Sequence, residues 1–205
     1  MSDLPILPTS RPLLFVLSGL SGVGKDAVLA GLRRCGLPLE FIVTVTTRPP
    51  RPSEHDGVHY HFVSGERFQS LIDGDELLEW ASVYGNRYGT PRLAVRDALA
   101  AGRDAIVKVD VQGATSIKKV VPQAVLIFLA TPSLADLAER LHRRSTESPA
   151  HLELRLQTAS DELKSLHLFE YIVFNHGGQL GRAVEEVRSI ITAEKCRVKP
   201  REISI

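Results

Sequence analysis

Residues 13–27 read "LLFVLSGLSGVGKDA". A short apolar run ends in glycine, a glycine-rich turn follows, and "KDAVLAGLRRC" then carries helical periodicity to a stop near Gly36–Pro38. An apolar run of this length bounded by glycine predicts a buried parallel strand. A loop between such a strand and a helix can aim several backbone N–H groups at one point. Glycines let the main chain close around an anion, and the helix N-terminus adds partial positive charge. From Gly19 to Lys25 the spacing G-x-x-x-x-G-K is complete, the pattern of a phosphate-binding loop. The bland alternative, a glycine-rich turn with an incidental lysine, lacks the strand–loop–helix context. Gly19, Leu20, Ser21, Gly22, Val23, Gly24, Lys25, Asp26 and Ala27 are therefore the candidate seat for a nucleoside triphosphate, with Lys25 reaching the outer phosphates.

The position after the loop lysine ordinarily carries a Ser or Thr hydroxyl for magnesium. Here it is Asp26. A carboxylate beside a triphosphate is repelled unless a cation lies between them, and Mg²⁺ favours carboxylate oxygen. Asp26 is thus a candidate metal ligand, directly or through water. A second acidic group of such sites usually ends a core strand. The strand here is "IVKVD", in which alternation points Lys108 and Asp110 the same way.

The bulk numbers bound the rest. A chain of 205 residues, 43% hydrophobic and 24% charged, is an ordinary globular mix, predicting one domain with inserted subdomains. A net charge of +1 exerts no general pull on nucleic acid or membrane, so an anionic ligand must be held by local Arg and Lys. Cys35 and Cys196 stand far apart and outside any metal spacing, which argues against a disulfide framework and for a reducing cytoplasm. "MSDLPILPTSRP" reads as a frayed leader over 1–12 rather than a signal peptide, and no apolar run is long enough to cross a bilayer.

Outward from the loop, "EFIVTVTT" (40–47) predicts a strand, "RPPRPSEHDG" a turn-rich stretch and "VHYHFV" (58–63) another strand. "SGERFQSLIDG" predicts a capped helix, and "LLEWASVYGNRYGTP" a strand running into a glycine-rich loop. A helix is expected over 91–101, then strands "DAIVKVDVQG" (104–113) and "AVLIFLA" (124–130). Ser133 with Asp136 forms a capping-box arrangement, and Ser148 with Pro149 opens the next helix. "YIVFN" (171–175) is a last strand and "LGRAVEEVRSIITAEK" an amphipathic closing helix. Strands alternating with helices at both ends predict a parallel α/β core, and the middle, about 40–90, looks antiparallel.

The segments "TVTTRPPRPSEHDGVHYHF", "LLEWASVYGNRYGT", "VDVQGA", "RLHRRSTES" and "IVFN" occur in order with the phosphate loop. Together they resemble guanylate kinase over about residues 13–195. The resemblance implies a P-loop NTPase α/β core with a parallel five-stranded sheet, an inserted mixed-β GMP-binding subdomain and a helical lid. It implies a core of 13–39, 98–139 and 165–195, a GMP-binding subdomain of 40–97 and a lid of 140–164, leaving a C-terminal tail over 196–205, whose "KPREISI" is expected to be mobile. The implied reaction transfers the γ-phosphoryl group of ATP to GMP with Mg²⁺, giving ADP and GDP. The implied partners are ATP and GMP, with neither nucleic acid nor membrane.

On that resemblance, Arg48 and Arg51 with Tyr60 and Tyr88 form a clamp on the GMP phosphate, a role suited to guanidinium forks and phenols. Glu79 faces guanine, whose N1–H and 2-amino group are paired donors that adenine lacks. Thr44, Thr90 and Asp110 complete the base contacts. Arg140 and Arg144, four apart on one helix face, and Arg155 look like lid residues that close on ATP. With Lys25 and Arg48 they are the candidate catalytic cations. Asn175 matches the family's Asn near adenine, although His176 and Gly177 follow where acidic residues are usual. Each residue also has a bland reading, as a solvated loop arginine, a strand aromatic or a surface charge.

Two positions depart from the family pattern together. Asp26 replaces the usual Ser or Thr, and Lys108 stands where the family has an acid. The two are expected to face each other across the phosphate site. Either Asp26 holds Mg²⁺ or its waters while Lys108 balances it or touches a phosphate, or the two form a plain salt bridge. Two other functions stay open. A ribose 1,5-bisphosphate phosphokinase-like enzyme also accommodates Asp after the loop lysine. A non-catalytic, protein-binding scaffold would need a degraded ATP loop, whereas Lys25, the glycines and the lid arginines are all present.

Overall fold

The computed structural model describes residues 11–144 and 149–205, with side chains of 143–152 outside that description. From the N-terminus, β1 (Leu14–Gly19) leads through the glycine loop into α1 (Lys25–Arg34) and then β2 (Leu39–Ile42). A second unit is interposed, made of β3 (Val45–Thr46), β4 (His61–Phe62), α2 (Gly65–Asp73), β5 (Leu77–Val83) and β6 (Asn86–Pro91). The chain returns through α3 (Arg92–Ala100), β7 (Asp104–Lys108), α4 (Val111–Val120), β8 (Val125–Ala130), α5 (Leu134–Arg144), α6 (Pro149–Lys164), β9 (Tyr171–Phe174) and α7 (Leu180–Lys195).

Five strands form one parallel sheet in the order β2-β7-β1-β8-β9. Every residue of β1 and β8 is buried. Strands covered on both faces need apolar residues at every position, so these runs read as continuous rather than alternating. Alternation still sorts the side chains. Phe15, Leu17, Ile127 and Leu129 join Val28, Leu32, Val184 and Val187 of α1 and α7 in one core. Leu14, Val16, Val107 and Leu126 join Val95, Ala98, Ala114 and Ile117 of α3 and α4 in the other. The carboxyl ends of the parallel strands share one edge, where ligands of open α/β sheets bind.

The interposed unit is a four-stranded sheet of order β4-β3-β6-β5. It is mixed, not purely antiparallel: β3 pairs β4 in parallel, while β3–β6 and β5–β6 are antiparallel. The single strand expected over 40–47 is two strands in two sheets, because Leu39–Ile42 pairs with β7 and Val45–Thr46 with β6 and β4. β-branched alternation predicts extended backbone without naming its partner. "GNRYGT" is not a loop either. Tyr84 (φ 48°) and Gly85 (φ 77°) make a left-handed turn, and Asn86–Pro91 returns along β5.

The strand expected over 104–113 ends at Lys108, and α4 begins at Val111. Asp110 ends it by accepting from the Gly113 N–H at 3.0 Å, an N-cap. Ser133 caps α5 as expected, accepting from the Asp136 N–H at 3.0 Å and donating to its carboxylate at 2.7 Å. Pro149 opens α6, while Ser148 and residues 1–10 of the leader lie outside the described residues. The tail, expected to be mobile, is docked. Arg201 binds the buried Glu194 at 2.8 Å, and Ile203 and Ile205 pack against the core.

Candidate active site

β1 delivers the chain to Gly19 with φ 129°, where a Cβ would stand 2.0 Å from the Leu129 carbonyl oxygen. Only glycine passes there, because the backbones of β1 and β8 are in contact and the dihedral is closed to L side chains. Lys25 starts α1 and arches back over the loop. Its ammonium donates to the Gly19 carbonyl at 2.7 Å and the Leu20 carbonyl at 3.1 Å. Burial pushes its pKa down, against the pull of Glu162.

Glu162, on α6, reaches the same loop and accepts from the Ser21 N–H at 3.3 Å. A carboxylate thus stands against the amides that would cradle phosphate. Burial pushes Glu162 up to about 7, in spite of Lys25. In sequence nothing distinguishes this residue, because in "ASDELK" it is one more charge on a helix.

Arg140 of α5 and Asn175, just after β9, brace the loop. Arg140 donates to the Val23 carbonyl at 3.2 Å and to the Asn175 carbonyl. The Asn175 amide donates to the Val23 carbonyl at 2.7 Å. Arg144 ends α5, with its side chain outside the described residues. The Arg155 guanidinium lies 5.8 Å from the centre of the Tyr84 ring, so α6 meets the turn of the β5–β6 hairpin.

Asp26 and Lys108 form an ion pair. Lys108 ends β7 beside β1, its side chain 12% exposed, whereas Asp26 is 75% exposed. The Lys108 ammonium also donates to the Tyr60 hydroxyl at 2.8 Å. Burial works against its charge, yet Asp26 and Tyr60 hold its pKa above the ordinary lysine value.

Glu79 is 7% exposed on β5, opposite Thr90 of β6. The Thr90 hydroxyl donates to Glu79 Oε1 at 2.7 Å. Burial pushes Glu79 up to about 7; Thr90 pulls it down, and Asp110 adds to the rise. A Cβ at Gly113 would stand 2.7 Å from Glu79 Oε2, so the glycine of "VDVQGA" makes room for the carboxylate. That role is invisible in sequence, where Gly113 is merely a small residue near a strand end.

One cavity of about 550 Å³ joins these groups. Ser21, Gly22, Lys25, Asp26 and Glu162 line one part of it, Thr44, Glu79, Tyr88 and Asp110 another, with Tyr60 and Lys108 also on its wall. Arg48 and Arg51 are not on it. Arg48 donates from one nitrogen to both Glu54 oxygens at 2.8 Å, and Glu54 also accepts from the Arg51 N–H at 2.8 Å. The Arg48 guanidinium still lies 5.6 Å from the centre of the Tyr60 ring, at the cavity wall. The Arg51 side chain is exposed. Among the described residues no group of three His, Cys, Asp or Glu could hold a metal, and no helix is long and apolar enough to cross a membrane.

Known proteins resemble this chain over most of its length. The guanylate kinase family model matches residues 10–194. A guanylate kinase of Desulfitobacterium hafniense is 47% identical over 187 residues, covering 91% of this chain and 92% of that protein. Guanylate kinase 2, chloroplastic/mitochondrial, of Oryza sativa subsp. japonica is 42% identical over 205 residues, covering 100% of this chain and 72% of that protein. The crystal structure of guanylate kinase from Anaplasma phagocytophilum superposes with a TM-score of 0.73 at 28% identity, covering 94% of this chain and 90% of that one. With the phosphate loop, the parallel sheet and the interposed mixed sheet all in place, the chain belongs to the guanylate kinase family.

Proposed function

We propose that the protein transfers the γ-phosphoryl group of ATP to GMP by direct in-line displacement, serving purine nucleotide metabolism in the cytoplasm. The observation that carries this reading is the position of Glu79. It is a buried carboxylate, held by Thr90, on the same cavity as the phosphate loop. Guanine offers two adjacent donors to such a group, and adenine would leave it buried and unpaired.

A GMP phosphate oxygen attacks the γ-phosphorus while the bond to the β-phosphate oxygen breaks and ADP departs with the electron pair. No covalent enzyme intermediate is needed; positioning and charge stabilisation suffice. The loop amides from Gly19 to Ala27 and the Lys25 ammonium hold the ATP phosphates. Asn175, which supports the loop at Val23, stands on the adenine side. Arg48, Arg51, Tyr60 and Tyr88 take the GMP phosphate, Arg48 exchanging Glu54 for it. Thr44, Thr90 and Asp110 surround the base with Glu79. Arg140, Arg144 and Arg155 close from the lid, which keeps water from the transferring group.

Mg²⁺ fits the residues present. The exposed Asp26 carboxylate lines the cavity beside Lys25 and would hold the ion directly or through water, and no all-protein cage exists among the described residues. That is the usual arrangement for an ion carried mainly by nucleotide phosphates. When bound, it offsets phosphate charge.

The test is a coupled ADP-release assay with GMP, AMP and ribose 1,5-bisphosphate as acceptors. Turnover with GMP alone is expected. Turnover with ribose 1,5-bisphosphate instead, or no turnover and no protection by GMP against thermal unfolding, overturns the reading.

A further inference from the structure

Tyr60 has a hydrogen-bonding constraint that its place on the cavity wall makes consequential. A phenol carries one hydrogen and two lone pairs, and an ammonium can only donate. The Lys108 ammonium, 2.8 Å from the Tyr60 oxygen, therefore uses a lone pair of the phenol. The phenol hydrogen must point elsewhere, and no described residue accepts it. The ring itself is fixed. It meets the Tyr88 ring edge-on at 5.9 Å and the Phe62 ring at 5.8 Å, with the Lys108 nitrogen 4.2 Å from its centre.

Lys108 is fixed in turn. Its backbone ends β7 in register with Leu17 of β1, and its ammonium is ion-paired with Asp26 in the first turn of α1. The chain Asp26–Lys108–Tyr60 thus runs from the helix behind the phosphate loop, across a strand end of the parallel sheet, to the interposed mixed sheet. It joins the two halves of the cavity through side chains alone.

We propose that Lys108 is a positioning residue for the acceptor. Anchored by Asp26, it occupies the Tyr60 oxygen and so commits the phenol hydrogen to the phosphate of the bound nucleoside monophosphate. Donation from a charged ammonium also polarises the phenol and strengthens the hydrogen bond it gives. The inference rests on GMP being the acceptor.

The experiment is a double-mutant cycle on Lys108→Met and Tyr60→Phe, read as KM and kcat for GMP, KM for ATP, and GMP-dependent thermal stabilisation. Each single substitution is expected to raise the GMP KM about tenfold, the scale of one charge-assisted hydrogen bond, and to change the ATP KM little. The double variant should be no worse than the worse single, because both remove the same hydrogen bond. Lys108→Arg, which keeps a donor cation, should restore most of the GMP KM. If Lys108→Met does not fold, Lys108→Gln takes its place in the cycle. Losses that multiply in the double variant, or a Lys108 variant with unchanged GMP KM, overturn the inference while leaving GMP as acceptor. A wild-type protein that does not phosphorylate GMP overturns both.

Discussion

Thr90 donates its hydroxyl hydrogen to Glu79 Oε1 across the β5–β6 hairpin at 2.7 Å, and both residues are buried. One neutral donor is modest compensation for a buried carboxylate. The group is pushed up to about 7, mainly by burial. In the nucleotide-free protein it therefore carries a proton through mildly acidic conditions.

GMP affinity should depend on that proton. Guanine's paired donors need the carboxylate, so binding below pH 7 must release the proton from Glu79. Affinity is expected to rise with pH through about 7 and then level off. Titration calorimetry in two buffers of different ionisation heat should show proton release at pH 6 and none at pH 8.5. Equal affinity at both values, with no proton release, would refute the account.

The same group should lower the stability of the empty protein at high pH. Its folded value, about 7, lies above the ordinary 4.5. Between those values the folded chain keeps a proton that the unfolded chain has lost, so stability falls as pH rises and the full cost is present above 7. That cost is on the order of 3 kcal/mol. Glu79→Gln keeps an oxygen for Thr90 and removes the charge. Its urea midpoint should match wild type at pH 4.5 and exceed it at pH 8.5, while GMP binding is lost.

Glu162 should compete with ATP. Its carboxylate accepts from the Ser21 N–H, and Asp110 and Lys25 are the charged groups felt there besides. Phosphates seated on those amides require Glu162 to move away or take a proton. ATP affinity is expected to fall as pH rises through about 7. Glu162→Gln should tighten ATP binding about tenfold at pH 8 and flatten the profile. A Gln variant with weaker ATP binding at pH 8 would mean the carboxylate serves the nucleotide rather than excluding it.

Gly19→Ala should be far more costly than Gly36→Ala. At Gly19 the new Cβ meets the Leu129 backbone at 2.0 Å with φ 129°; at Gly36 it meets nothing within 4 Å with φ 65°. The second change is expected to cost about 1 kcal/mol in urea unfolding, from the dihedral alone. The first should cost on the order of 3 kcal/mol or more, since two buried backbones must separate. Similar urea midpoints for the two variants would show that the β1–β8 approach is relaxed at little cost.

Read alone, the sequence determined what local chemistry decides. The apolar run into G-x-x-x-x-G-K specified strand, loop and helix, and Ser133 with Asp136 specified a cap, because hydrophobic period, glycine dihedrals and capping act within a few residues. The order of motifs identified the family, and the paired departures at Asp26 and Lys108 marked two residues expected to face each other, which the fold brings together as an ion pair. Tertiary structure alone decided the pairings of distant residues. It split 40–47 between two sheets, brought Glu162 to Ser21 across 141 positions, and set Lys108 on Tyr60. Periodicity reports which face of an element is buried. Which charge stands opposite another depends on how the elements pack, and that is settled only when the whole chain has folded.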